Sequence, residues 1–109
     1  MKLKLSFSEF TVLYHLLLTV CTGIQPKGIQ AHILHGTLFR LFKKFHSKSI
    51  ESKKRYTISM EDDMACAFYL FYSQYKMTGQ DVFTINLVTQ INNSIHQKYS
   101  NEKRTLPSV

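Results

Sequence analysis

The chain has no tryptophan, only two cysteines, two prolines and four glycines, and half as many acidic residues as basic ones. Each shortage closes off a class of protein. Four scattered glycines build no glycine-rich phosphate loop. Cys21 and Cys66 lie inside apolar runs rather than in a C-x-x-C motif, so they read as small buried hydrophobes of a reducing cytoplasm. A disulfide between them has no support beyond the even count. No apolar run is long enough to cross a bilayer. The stretch Leu16–Cys21 after Lys2 and Lys4 has the outline of an export signal, but Glu9 and His15 interrupt it and Val20 stands where a small residue should precede the cysteine. We therefore read it as part of a cytoplasmic folded protein with no membrane partner.

What is present is a folding composition. Of 109 residues, 44% are hydrophobic, and eight Phe with six Tyr supply the volume that Trp does not. That suffices for one core and is too short for two ordinary domains. Lys and Arg outnumber Asp and Glu by 14 to 7, a formal charge of +7. Such a surplus favours anionic partners such as nucleic acid or an anionic membrane surface.

Catalytic and metal chemistry find no constellation. His32 and His35 share a helix face at i, i+3, yet no Cys, Asp or Glu stands at ligand spacing to complete a metal site. His15 and His96 are isolated. Glu61, Asp62 and Asp63 read as a helix start, where the helix dipole favours negative charge. No nucleophile, base and orienting group fall into a recognisable arrangement. The expectation is a non-enzymatic protein without cofactor or metal.

Along the chain, Lys2–Phe7 alternates polar and apolar, the signature of a half-buried strand. Ser6 and Glu9 form a capping-box pattern, predicting a helix to about Cys21. Gly23 stops it. Pro26 suits a first helical position and opens a second helix to about Phe45. His46–Lys54 is rich in Ser and Lys and reads as an exposed linker. Then the pattern restarts. Arg55–Met60 alternates, Ser59 is placed to cap a third helix running to about Lys76, and a fourth follows from near Asp81 to about Ser100. Residues 101–109 read as a frayed tail.

An offset of about 53 residues superposes the halves without a gap, within the range where repeats are sought. Leu3, Leu5 and Phe7 fall on Tyr56, Ile58 and Met60. Leu17 falls on Leu70, and Leu34, Leu38 and Phe42 on Leu87, Ile91 and Ile95. Leu17, Leu34, Leu38, Leu70, Leu87 and Ile91 are accordingly expected in the core. The fold class that follows is α+β, mainly helical: a duplicated strand-helix-helix with a two-stranded antiparallel ribbon and four helices. It occupies 1–100 as one domain, with pseudo-repeats 2–46 and 55–99 joined by a basic linker.

At this point the chain resembles the ribbon-helix-helix DNA-binding family, over Lys2–Phe45 and Arg55–Tyr99, with both units in one chain. The resemblance implies that the ribbon's polar face enters the major groove of duplex DNA. By position, Lys2, Lys4, Ser6, Arg55, Thr57 and Ser59 would face bases. Lys27, Lys43, Lys44, Lys53 and Lys54 would touch the DNA backbone, with the amides near Lys27 and Gln80 facing phosphate. Asp81 departs from that pattern by placing a negative charge near a phosphate position. The implied function is a transcriptional regulator or mobile-element accessory protein. The alternative is a structural or interaction protein, an oligomer subunit or adaptor, whose broadly apolar helices and aromatics exceed what one small core buries.

Overall fold

Alternation makes the strands and a capping box starts the first helix. In the computed structural model, which describes residues 1–75 and 79–100, the order is β1 (Lys2–Ser6), α1 (Phe7–Gly23), α2 (Ile29–Ser49), β2 (Arg55–Ser59), α3 (Asp62–Gln74) and α4 (Val82–Ser100). The class is the α+β, mainly helical one expected, with a two-stranded antiparallel sheet and four helices. The tail beyond Ser100 and the expected end of the third helix at Lys76 lie outside the described residues.

The strands pair as Lys2–Ser59, Leu3–Ile58, Lys4–Thr57, Leu5–Tyr56 and Ser6–Arg55. The ladder extends past both ends. Met1 and Met60 exchange backbone bonds at 3.0 and 2.7 Å, and the Phe7 amide donates to the Lys54 carbonyl at 3.2 Å. Lys4 and Thr57, equivalent in the superposition, face each other at the centre of this register. A twofold axis between equivalent units requires that pairing. Leu3, Leu5, Tyr56 and Ile58 are buried beneath the ribbon, and the alternate residues face outward. Phe7, expected on the apolar face, is instead the first residue of α1 and exposed.

Phe10 is the central packing piece below the ribbon. Its ring stacks on Tyr56 at 4.0 Å between centroids and on Phe45 at 5.3 Å. Around it the buried residues of all six elements form one connected core. Tyr56 satisfies its phenol at the rim, donating to the Glu51 carbonyl at 2.7 Å and accepting from the Lys53 amide at 3.2 Å. The two free cysteines are not bridged, and neither is buried as expected: Cys21 is half-buried, and Cys66 is exposed on a solvent-facing position of α3.

Four further expectations are corrected. The second helix starts at Ile29 rather than Pro26, because Gly28 takes a φ of +89°, a left-handed turn before the first helical residue. It does not end at Phe45. It runs on to Ser49, because Phe45 is buried and His46 packs against Tyr14, whose hydroxyl lies 2.8 Å from the His46 Nδ1. Only Ile50–Lys54 then remains as connection. Ser59 does not cap the third helix. It stays in β2, and Glu61 takes the N-cap position. Finally, Leu70 is 50% exposed and Leu34 only partly buried, whereas Leu17, Leu38, Leu87 and Ile91 are buried.

The Ser59 and Leu70 corrections share a cause. β1 runs straight into α1, with Ser6 serving as both last strand residue and N-cap. Between β2 and α3 stand two further residues, Met60 and Glu61. The first helix of the second half is therefore two positions late against the gapless superposition. With that shift of two, the superposition sets buried Tyr72, not Leu70, against the fully buried Leu17.

Candidate nucleic-acid interface

Strand alternation projects Lys2, Lys4 and Ser6 from β1 and Arg55, Thr57 and Ser59 from β2 onto one outward face. All are exposed except Ser6, which is intermediate. Met1 and Met60 form a hydrogen-bonded pair, and such pairs alternate along an antiparallel ladder. The outward pairs Lys2–Ser59, Lys4–Thr57 and Ser6–Arg55 are therefore of the closely spaced, non-hydrogen-bonded kind. Each cation faces a small hydroxyl residue rather than another cation, which avoids the like-charge penalty of direct opposition. Among the described residues Lys2, Lys4, Arg55 and Lys54 form no ion pair.

Ser6 has a second duty. Its hydroxyl accepts from the Glu9 amide at 3.2 Å, and its own amide donates to Glu9 Oε1 at 2.8 Å, the complete capping box. Ser59 gives its carbonyl to Lys44 Nζ at 2.7 Å.

The five lysines expected on the DNA backbone divide. Lys44 sits beside the ribbon edge, held by Ser59 and 3.8 Å from Glu61. Lys53 pairs with Glu51 at 2.8 Å, which holds that carboxyl below and that ammonium above their usual values. Lys43 lies over the Phe39 ring, 5.0 Å from its centroid. Lys54 is exposed next to Arg55. Lys27 stands apart. It lies at the far turn of the α1–α2 hairpin, about 24 Å of helix away from the ribbon end of α1.

The helix N-termini differ too. Asp81 Oδ1 accepts from the Thr84 amide at 2.8 Å, and hydrogen bonding from the Thr84 side chain, and then from its amide, holds the carboxyl below its ordinary range. The α4 start near Gln80 is thus occupied by a side-chain acid. The α2 start has Gly28 as N-cap and no side-chain cap.

Residue-by-residue reading missed two features. Arg40 binds Asp63 and lies 3.6 Å from Glu61, so with Lys44 it offsets the acidic start of α3; the guanidinium holds the Asp63 carboxyl below its usual value. Lys98, in the last turn of α4, adds charge at the Met1 end of the ribbon. Burial and then the Lys98 charge hold the Met1 ammonium below its usual value. The available signal for both was helical spacing, which says nothing about which helix end meets the ribbon.

Comparison with known protein families, curated proteins and solved structures finds no match. Among the described residues no helix is long and apolar enough to cross a membrane. Nor do three or more His, Cys, Asp or Glu gather there in a position to hold a metal ion.

Proposed function

We propose that this is a small, non-enzymatic DNA-binding protein of the reducing cytoplasm, a transcriptional regulator or mobile-element accessory protein, whose outward ribbon face enters the major groove. One observation carries the reading: Lys2, Lys4 and Arg55 stand together, exposed and without acidic partners among the described residues, on a two-stranded ribbon whose other outward residues are short hydroxyls. The major groove, about 12 Å wide, admits such a ribbon. The cations draw it in, and Ser59, Thr57 and Ser6 are short enough to let the backbone approach base edges. Lys54, Lys43 and Lys44 flank the ribbon as backbone contacts. The symmetric register about Lys4 and Thr57 supports the likeness to a paired ribbon.

The test is a titration of duplex DNA at low and moderate salt. Binding should weaken steeply with salt, and replacing Lys43, Lys44 and Lys54 together by Ala should flatten the log–log slope by roughly 2–3, about 0.9 for each phosphate charge no longer met. Changing Thr57 should alter sequence preference, whereas changing Lys54 should weaken all sequences alike. Absence of binding at low salt, or binding indifferent to the triple variant, overturns the reading. A second reading, an interaction protein, draws on a different feature, the exposed Ile29, Ile33 and Leu70 away from the ribbon.

A further inference from the structure

Two equivalent strands paired as a ribbon present a twofold face only where equivalent residues agree. The register sets the axis between Lys4 and Thr57, and in the superposition of the halves Lys2 falls on Arg55 and Ser6 on Ser59. Lys2 and Arg55, opposite Ser59 and Ser6, therefore stand at diagonal corners of the outward face. Both are exposed cations without an ion pair among the described residues. Ser6 and Ser59 hold the other two corners and are the same residue type, although Ser6 also caps α1. The centre differs. Lys4 is an exposed, donor-only ammonium, whereas its equivalent Thr57 is a short exposed hydroxyl with a methyl. The ribbon is thus matched at its corners and unmatched at its middle.

A twofold protein face is mirrored in the symmetry of the duplex site it reads. We infer that the ribbon reads a pseudo-palindromic duplex site in one orientation only, with matching guanines on opposite strands at the outside and an asymmetric centre. This rests on the proposed DNA-binding reading and names the ligand of that same face. Lys and Arg both recognise guanine through its O6 and N7 acceptors, so the two corners ask for like bases in the two halves. Arg55 lies opposite Ser6, four residues along the ribbon from Lys2. At about 3.4 Å per residue the corners are roughly 14 Å apart, or about four base-pair steps along the duplex. In the middle, Lys4 again takes a guanine, whereas Thr57 fits a thymine methyl. The halves therefore ask for different central bases. Turning the protein through 180° on its site keeps the outer contacts and loses the central ones.

The experiment selects sites from a random duplex library with the purified protein at low salt, then titrates single sites. The consensus should carry G·C pairs at the two outer positions, with the guanines on opposite strands, around a non-palindromic centre. Placing the Thr57-side base pair in both halves of the centre should weaken binding about ten- to a hundredfold, the worth of one good bidentate pair. Lys4→Thr should lose that discrimination and select a palindrome. Thr57→Lys should also select a palindrome, with guanine in both halves of the centre. It sets two lysines opposite each other, which costs some stability; Lys4→Thr does not, and a circular dichroism melt accompanies both. A palindromic consensus from the unaltered protein overturns the inference. So does an asymmetric consensus from either variant that melts as the parent does. Binding without sequence preference overturns it and leaves the DNA-binding reading standing, whereas no binding at low salt overturns both.

Discussion

Replacing Tyr72 by Phe should stabilise the protein, although Tyr72 lies in the core. Tyr72 is 5% exposed, packed on Phe68 at 4.6 Å and edge-on to Phe71 at 4.9 Å. Its hydroxyl has no hydrogen-bond partner among the described residues. Burying a hydroxyl unpaired costs about 1–3 kcal/mol in proteins. Deleting it removes that penalty and forfeits a few tenths of a kcal/mol of dispersion contact, while every ring contact stays. The expected gain is about 1 kcal/mol, which for a domain of this size raises Tm by about 4–8 °C. A urea titration at neutral pH should show a higher midpoint and an unchanged slope. The pH dependence supplies a second check. Burial pushes the phenol well above its ordinary value of 10. Below that value both folded and unfolded chains keep the proton. Above it the unfolded chain ionises first, so stability falls with rising pH until the folded value is passed. Tyr72→Phe should lose that component of the alkaline decline. A variant less stable than the parent by about 1 kcal/mol, the worth of a net hydrogen bond, would show that the hydroxyl is satisfied and refute the reasoning.

Leu17→Ala should cost about 2–5 kcal/mol, as a fully buried leucine does, whereas Leu70→Ala should change monomer stability by less than about 0.5 kcal/mol. Urea titrations at low protein concentration check both, and equal costs would restore the gapless superposition of the halves. Ser6→Ala should cost about 1 kcal/mol by opening the capping box, read in the same titration, and Ser6→Asp, which keeps an acceptor at the N-cap, should recover most of it. Alkylation at neutral pH should modify exposed Cys66 quickly and Cys21 slowly. Burial pushes the Cys21 thiol up to about 11 from 9, leaving about a hundredfold less thiolate, and mass spectrometry of the labelled peptides reads the ratio.

The parts of the fold legible in the sequence are those fixed by neighbours a few residues apart. Alternation over Lys2–Ser6 and Arg55–Ser59 is a local steric pattern, and both strands formed. Ser6 and Glu9 are three residues apart and cap each other. The errors arise where a distant contact decides. His46 looked like the start of a linker because Ser and Lys follow it, but its ring partner Tyr14 is on α1, and no spacing rule connects them. Ser59 had the residue type of a cap, yet the Met1–Met60 exchange carries the ladder one pair past it and forces the chain to turn later. Leu70 inherits that delay. A shift of two positions along a helix rotates a side chain by about 200°, enough to move a core residue to the surface.

The charge distribution has the same origin. The six outward ribbon residues were legible because their orientation follows from period two alone. The flanking lysines were not, since a basic run in sequence carries no information about its acidic neighbours in space. Glu61 and Asp63 look like a local helix-dipole device, and in the fold they also engage Arg40 and Lys44 from α2. Glu51 similarly engages Lys53. These exposed pairs contribute little to stability, but they thin the positive field around the ribbon and leave Lys2, Lys4, Arg55 and Lys54 as its concentrated source. Under the proposed function, that patch of unpaired cations would draw a polyanion to the ribbon face rather than to the basic protein as a whole. The groove between α2 and α3 has Lys27 at one end and Asp63, paired with Arg40, at the other, and lacks such a field. The molecule thereby sets its unpaired cations on the ribbon and its exposed Ile33 and Leu70 on the α2–α3 face.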